Sequence, residues 1–163
     1  MKSGIAIVPG SFDPITLGHI DLVKRAAQVY DKVYLAVMIN DQKKYMFTIE
    51  ERVAIAKAAL GDMDNVEVVF SEGMLWELAR DLSANAIVKG VRNDIDAEYE
   101  RVMAEFNKKM YPSAQTVMLK SNEALSELSS TVVRNRICHN DDLSDLLPES
   151  AIKEIAKILK SRQ

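Results

Sequence analysis

The stretch of residues 5–19 reads IAIVPGSFDPITLGH and runs from an apolar segment into a polar turn that contains proline and glycine. Residues 5–8 predict a short buried strand, which Pro9 and Gly10 end. Apolar residues recur at helical spacing over residues 20–30, so a helix follows the turn. The stretch therefore predicts a strand, a loop and a helix in direct succession.

The same alternation continues along the rest of the chain. Four more strands are predicted, at residues 33–38, 66–70, 86–88 and 116–119. Helices follow them at residues 49–60, 75–82, 99–110 and 129–138, and a capping box of Thr48 and Glu51 opens the first of these. A last helix is predicted with Pro148 in its first turn and with a buried face made of Ile152, Ile155, Ala156 and Leu159.

This order of elements predicts an α/β fold. Strands that are joined by helices must run parallel, and their crossovers are right-handed. We therefore expect one domain over residues 1–163, built on an open, doubly wound parallel sheet of five strands in the order 3-2-1-4-5. Ligands of such sheets bind beyond the carboxyl ends of the strands at the switch point. Residues 9–13 and 89–92 leave those ends, so the site is expected there.

Composition excludes several classes of protein. The formal net charge of −3 lacks the basic surplus of a general nucleic-acid binder. Cys138 is the only cysteine, which rules out an internal disulfide and fits a reducing compartment. One cysteine and two histidines cannot form a zinc cage built mainly of such ligands. No apolar run approaches bilayer length, so we expect a cytoplasmic protein without a membrane partner.

The residues beyond the first strand suit phosphate binding, although the chain has neither a GxGxxG motif nor a P-loop motif. Gly10 lets the backbone approach a ligand closely, and Ser11 supplies a hydroxyl group. Residues 16–19 open a helix, whose free N–H groups and positive potential favour a phosphate. His19 lies in that first turn and can donate a hydrogen bond to a phosphate oxygen.

A second helix start repeats this arrangement at Ser129, Ser130 and Thr131, with Arg134 one turn further along. Lys43, Lys89 and Arg92 follow predicted strand ends, so they are expected to meet at the same crevice. Several donors around one crevice suit a triphosphate together with a second phosphate. No nucleophile and base are paired by spacing, which favours a direct phosphoryl-type transfer that depends on positioning and charge stabilisation.

Two motifs make the chain resemble the nucleotidyltransferase superfamily. The sequence PGSFDPITLGH at residues 9–19 resembles its (H/T)xGH signature, and LSSTVVR at 128–134 resembles ISSTxxR. The stretches 43–52 (KKYMFTIEER), 89–92 (KGVR) and 98–100 (EYE) are similar to bacterial phosphopantetheine adenylyltransferases. This resemblance implies a Rossmann-like fold, a homohexamer and transfer of AMP from ATP to 4'-phosphopantetheine. The products would be dephospho-coenzyme A and pyrophosphate, with Mg²⁺ assisting and no covalent enzyme intermediate.

The resemblance also implies a role for each matching residue. The catalytic residues would be His19, Lys43 and Arg92. The acceptor would be bound by Ser11, Lys43, Leu75 and Lys89, and no metal ligands are implied. ATP would be bound by Ser11, Phe12, His19, Gly90, Val91, Arg92, Glu100, Leu125, Ser126, Glu127, Leu128, Ser129, Ser130 and Thr131.

Three of these positions differ from the commonest pattern of the family. Ser11 replaces threonine and keeps the hydroxyl group. Lys89 replaces arginine and loses bidentate geometry. Leu125 stands where an aromatic residue is frequent.

Other interpretations of the same residues remain open at this point. A histidine at a helix start can be a plain cap, Leu75 can belong to the core, and Glu100 can be an exposed helix residue. Cys138 and His139 are adjacent, so they mark a helix end and not a catalytic pair. Rival functions are a mononucleotide adenylyltransferase that makes a dinucleotide, a cytidylyltransferase, and a non-catalytic nucleotide sensor on the same fold.

Overall fold

The computed structural model describes residues 2–163, which form alternating strands and helices. The strands are β1 (Ile5–Gly10), β2 (Lys32–Met38), β3 (Val66–Ser71), β4 (Ala86–Val91) and β5 (Gln115–Lys120). The helices are α1 (Leu17–Val29), α2 (Ile49–Leu60), α3 (Leu75–Asp81), α4 (Asp94–Met110), α5 (Ser130–Cys138) and α6 (Glu149–Ser161). A single 3₁₀ turn, Glu123–Leu125, lies between β5 and α5.

The sheet confirms the predicted topology. Its strands are ordered β3-β2-β1-β4-β5, and every neighbouring pair is parallel. β1 is central, because Ala6 is in register with Val33 of β2 on one side and with Ala86 of β4 on the other. The chain reverses its direction of winding at β1 and β4, so the carboxyl ends of these two strands form the switch point.

Both faces of the sheet are covered. Ala6 and Val8 of β1 point into the larger core, which includes Val23 of α1 and Ile155 of α6. Ile7 points to the opposite face and packs in a smaller core with Ala79 of α3. This alternation follows from the two-residue period of a strand, and burial on both sides explains why β1 is apolar throughout its first half.

Helix caps fix the entry of the chain into α1, α2 and α5. The predicted capping box of Thr48 and Glu51 is present, with bonds of 3.1 Å and 2.9 Å between backbone N–H groups and side chains. Gly61 ends α2 with a φ of 59°, a region that glycine adopts without strain. The sequence allows either Ser129 or Ser130 to cap α5, and Ser129 is the N-cap.

Some predicted boundaries and faces are wrong. β4 continues through Val91, so Lys89 and Gly90 lie within the strand and not beyond it. α4 begins at Asp94 and is capped by the Asn93 side chain, five residues before its apolar periodicity begins. The missed turns are mostly polar, and Ile95, four residues before Tyr99, is the one large apolar residue in them.

The last helix also differs in detail from its prediction. Pro148 is the N-cap of α6 and lies one position before the first helical turn. Ile155 is buried as expected, but Ala156 is exposed. The most deeply buried side chains of α6 are Ala151, Ile155 and Ile158, so its inner face lies about one position away from the predicted one.

Helix α4 carries an apolar face that the rest of the chain leaves uncovered. The side chains on this face are 40–81% exposed. They are Ile95, Tyr99, Val102, Met103, Phe106 and Met110. Within residues 2–163, none of the helices has the length and apolar composition that a bilayer crossing requires.

Candidate active site

Two cavities meet at the carboxyl ends of β1 and β4. The first has a volume of about 560 Å³ and lies between the start of α1, the start of α5 and the first turns of α4. The second has a volume of about 750 Å³ and lies between residues 38–43 after β2 and the start of α3. They share one wall, which is formed by Pro9, Gly10, Lys89, Tyr99 and Glu100.

Most of the residues that the sequence singles out line one of these cavities. The first cavity is lined by Phe12, His19, Gly90, Arg92, Glu100, Leu125, Ser126, Leu128, Ser129 and Ser130. The second is lined by Ser11, Lys43 and Leu75, and Lys89 borders both. His19 and Ser129 are 110 residues apart in the chain and line the same cavity, so the two helix starts open onto the same space.

Four of the residues predicted to bind ATP do not border the first cavity. Ser11 borders the second cavity and not the first. Val91, Glu127 and Thr131 line neither of these two cavities. The Thr131 hydroxyl instead accepts a hydrogen bond of 3.0 Å from Arg134 Nη2.

His19 has a defined tautomer. The backbone N–H of Thr16 donates to its Nδ1 at 3.0 Å, and the Thr16 Oγ1 in turn accepts from the His19 N–H at 3.4 Å. This is a capping box in which histidine takes the place of glutamate. Because Nδ1 is the acceptor, the proton of the neutral ring is on Nε2. The cap and the ligand-binding role are therefore compatible, since they use opposite sides of one ring.

Burial lowers the pKa of His19 from 6.5 to about 4. The cost of desolvating a charged imidazole is the cause, and the Thr16 N–H bond acts in the same direction because protonation of Nδ1 would remove its acceptor. At pH 7 the ring is therefore a neutral donor through Nε2–H. A neutral donor of this kind can hydrogen-bond to an anionic oxygen without forming an ion pair.

We expect NMR titration of the His19 ring to show a midpoint near pH 4. In the unfolded chain the same ring takes up its proton near pH 6.5, so protonation favours unfolding as the pH falls from 6.5 towards 4. His139→Ala leaves His19 as the only histidine of the chain, so this variant assigns the His19 signal. A His19 midpoint near 6.5 would contradict this assignment.

Phe12 holds the imidazole from the side. Its ring meets the His19 ring edge to face, with centroids 5.0 Å apart and an interplanar angle of 88°. The Phe12 side chain is buried, although its φ of 48° lies in a region that side chains rarely adopt. Gly10 makes this position possible, because a Cβ there would lie 2.9 Å from Phe12 Cζ.

The start of α5 is tied to the loop after β1. Ser129 Oγ accepts from the backbone N–H of Val132 at 3.2 Å, and Ser130 Oγ donates to the carbonyl of Pro14 at 2.7 Å. Arg134 donates to the carbonyl of Asp13 at 2.9 Å, so it ties the loop to the helix and does not line either of the two cavities. These bonds hold the two helix starts in one orientation towards the first cavity.

The predicted cations of the site differ in their partners. Lys89 Nζ lies 3.4 Å from Glu100 Oε2 in the wall between the cavities, where both side chains are at most a quarter exposed. Arg92 pairs with Asp96 at 3.1 Å through Nε, and its backbone N–H donates to the same oxygen. Lys43 makes no ion pair within residues 2–163.

Two buried charged residues behind the cavities were not predicted. Asp13 is 3% exposed and accepts hydrogen bonds from the backbone N–H groups of Met46 and Phe47. Arg52 is 2% exposed and donates to the carbonyl of Ser11. Both lie within the quoted motifs, but sequence alone favours an exposed position for such side chains.

Comparison with known proteins agrees with this geometry. The sequence model of the cytidylyltransferase-like family matches residues 7–136, which include both helix starts. A phosphopantetheine adenylyltransferase of Lactobacillus acidophilus is 45% identical over 157 residues, which cover 96% of this chain and 98% of the relative. The chain belongs to the phosphopantetheine adenylyltransferases.

Further relatives support the same assignment. Proteins of this name from Alkaliphilus metalliredigens and Streptococcus gordonii are 42% and 41% identical. The matches cover 94% and 96% of this chain, and 98% and 96% of the two relatives. The resemblance inferred from the motifs is thus confirmed, and the chain is an enzyme of the nucleotidyltransferase class.

Proposed function

We propose that this enzyme transfers AMP from ATP to 4'-phosphopantetheine and forms dephospho-coenzyme A and pyrophosphate. One observation carries the proposal: two separate cavities share the wall at Gly10, Lys89 and Glu100. A nucleotide in the first cavity and a phosphorylated acceptor in the second would bring their phosphates together at this wall. The names of the relatives supply the identity of the acceptor.

The reaction is a direct displacement at phosphorus. An oxygen of the acceptor phosphate forms a bond to the α-phosphorus of ATP, and the bond from that phosphorus to the oxygen that bridges to the β-phosphate breaks. Pyrophosphate leaves with the bonding electrons. Because the acceptor phosphate is itself the nucleophile, no covalent enzyme intermediate is required, and positioning is the main contribution of the protein.

His19 and Lys89 are suited to stabilise this transition state. Negative charge grows on the oxygens around the α-phosphorus, and the Nε2–H of His19 would donate to one of them. Lys89 stands in the shared wall, where its cation would meet the acceptor phosphate. Glu100 holds Lys89 at 3.4 Å in the free enzyme, so the lysine is already placed before the acceptor arrives.

The starts of α1 and α5 are suited to the phosphates of ATP. Residues at the start of both helices line the first cavity, where the helix dipoles favour negative charge. Arg92 borders the same cavity and would exchange Asp96 for a phosphate oxygen. Leu125 offers an aliphatic edge at this cavity, where aromatic residues are frequent in the family.

Magnesium fits this site as a companion of ATP. Within residues 2–163, no group of three or more His, Cys, Asp or Glu side chains is arranged as a metal cage. Mg²⁺ commonly binds through one or two carboxylates together with substrate phosphates. Asp21, Asp96 and Glu100 line the first cavity and are candidates for that contact. When bound, the ion neutralises charge on the phosphates.

Measurement of pyrophosphate release with ATP tests the proposed function against its rivals. We expect release with 4'-phosphopantetheine and not with nicotinamide mononucleotide, and replacement of ATP by CTP should abolish it. Release with the mononucleotide would identify a dinucleotide-forming enzyme. Preference for CTP would identify a cytidylyltransferase, and ATP binding without release in any combination would identify a sensor.

Lys43 is expected to serve the acceptor. We predict that Lys43→Ala raises the KM for 4'-phosphopantetheine by roughly tenfold, the value of one lost charged contact, while the KM for ATP stays near that of the wild type. Lys44→Ala is the matched control, because Lys44 is the adjacent exposed lysine and borders neither of the two cavities. A raised KM for ATP with an unchanged acceptor KM would reverse the assignment of Lys43.

We also propose that the enzyme is a homohexamer in the cytoplasm. The uncovered apolar face of α4 supports self-association, since exposed apolar patches of this kind commonly mark interfaces. The resemblance to the family supports six copies. Analytical ultracentrifugation should give a mass near six chains, and a monomer at micromolar concentration would refute the oligomer.

A further inference from the structure

Arg52 is a buried cation without an anionic partner. Its side chain is 2% exposed, and within residues 2–163 no carboxylate lies within ion-pair distance of it. Its Nε is buried and has no hydrogen-bond partner there either. Burying a charged group without an anionic partner is costly. The Arg52 guanidinium therefore calls for an explanation other than its contribution to stability.

The guanidinium joins the ends of two central strands. Arg52 Nη1 donates to the carbonyl of Ser11, which follows β1, at 2.8 Å. The same nitrogen donates to the carbonyl of Met38, the last residue of β2, at 3.1 Å. Ser11 and Met38 both line the second cavity. Arg52 itself does not line it, so the guanidinium holds the backbone of the cavity wall from the protein interior.

The Arg52 guanidinium lies against the ring of Tyr45. The Arg52 Cζ lies 3.9 Å from the centre of the Tyr45 ring, the shortest cation–ring contact among the described residues. Tyr45 in turn bonds to Asn40, whose backbone N–H donates to the Tyr45 hydroxyl at 2.7 Å. Stacking of this kind needs a planar cation, which lysine does not offer.

Asn40 organises the segment that carries Lys43. Its carbonyl accepts from the Lys43 N–H at 2.9 Å, and its side chain accepts from the Gln42 N–H at the same distance. Residues 40–45, which we call the Lys43 loop, are thereby closed on themselves and rest on Arg52 through Tyr45. Apart from Tyr45, the residues of this loop are exposed.

We propose that Arg52 and Tyr45 are positioning residues for the acceptor: the buried guanidinium holds Ser11 and, through the Tyr45 ring, sets the place of Lys43 above the second cavity. Neither residue touches substrate through this role. The inference rests on the proposed adenylyl transfer and on Lys43 as an acceptor contact. The new element is that Arg52, which lies beneath the Lys43 loop, sets the position of Lys43 through Tyr45.

Tyr45→Leu tests the proposal, because it removes both the stacked face and the hydroxyl group. We expect the KM for 4'-phosphopantetheine to rise about tenfold, while the KM for ATP stays within about twofold of the wild type. Tyr45→Phe keeps the ring and loses only the bond to Asn40, so its effect should be roughly threefold. Tyr34→Leu is the matched control, since Tyr34 also packs under a cation, Lys32, but lies in β2 away from both cavities.

A double-mutant cycle separates positioning from general loosening. If Tyr45 acts through Lys43, adding Tyr45→Leu to Lys43→Ala should raise the acceptor KM by less than about twofold further. Two full and additive effects would overturn the proposal, as would a wild-type acceptor KM in Tyr45→Leu. Arg52→Lys should shift the acceptor KM in the same direction as Tyr45→Leu, and if that variant does not fold, the Tyr45 variants decide alone.

The same measurements distinguish failure of this inference from failure of the proposed function. If the wild-type enzyme releases no pyrophosphate with 4'-phosphopantetheine, the proposed function fails before any variant is compared. If the wild type is active and Tyr45→Leu matches it in both KM values, only the positioning role fails. Thermal melting of each variant verifies that the KM values belong to folded protein.

Discussion

Replacement of His19 by alanine should lower kcat by roughly 10²–10³-fold while ATP still binds. The neutral ring places its Nε2–H at the first cavity, and a donor that acts mainly on transition-state charge contributes to kcat more than to binding. Single-turnover or steady-state rates of pyrophosphate release measure the loss, and titration calorimetry measures ATP binding. Near-normal turnover in the variant would remove His19 from the mechanism.

The cap formed by His19 requires a control of its own. Alanine also removes the acceptor for the Thr16 N–H, so part of the effect could come from a loosened helix start. His19→Asn keeps an acceptor near the position of Nδ1 but has no group at the position of Nε2. We expect it to melt closer to the wild type than the alanine variant and to remain equally slow. His139→Ala, at the exposed end of α5, should leave the rate unchanged.

Replacement of Asp13 by alanine should lower the free energy of unfolding by about 3–5 kcal/mol. The carboxylate accepts from the buried N–H of Phe47 at 3.0 Å and from that of Met46 at 2.9 Å, and Arg134 lies 3.8 Å away. Alanine leaves both N–H groups without an acceptor and Arg134 without its counter-charge. Urea denaturation followed by circular dichroism measures the change.

Two companion variants make the result for Asp13 specific. Asp13→Asn keeps the shape and one carbonyl oxygen, so it should lose less stability than alanine does. Asp64→Ala removes an exposed aspartate outside both cavities and should change the free energy of unfolding by less than about 0.5 kcal/mol. If Asp13→Ala were as stable as Asp64→Ala, the bonds to residues 46 and 47 would have no structural importance.

The fold was predictable because its signals are local. Apolar runs of strand length, helical periodicity and side-chain caps each depend on residues within a few positions of one another. The capping box of Thr48 and Glu51 is one example, since both of its bonds close within a single turn. Once the alternation was clear, the geometry of parallel crossovers left few possible topologies. The strand order then followed, and with it the expectation that a site lies at the ends of β1 and β4.

Helix α4 is a case in which local sequence signals predict the helix but not the burial of its side chains. Its periodicity correctly predicts a helix over Tyr99 and Phe106, but these side chains are exposed in the single chain. An apolar stripe on a helix predicts that the stripe packs against other apolar groups. It does not tell whether those groups belong to the same chain or to another. The start of the helix was missed because its first turns are mostly polar, with Ile95 as their one large apolar residue and the Asn93 side chain as the cap that accepts from the Asp96 N–H.

The sequence by itself determined the order of the elements, the parallel sheet and the meeting of two helix starts at one edge, because these depend on neighbouring residues and on connectivity. Only the tertiary structure decided how the charged side chains are used. Arg134 donates to a carbonyl that lies 121 residues away in the chain, and Arg52 donates to one that lies 41 residues away. Asp13 accepts from an N–H group that lies 34 residues away. Such pairs form across different elements, so their distances exist only after the chain has packed.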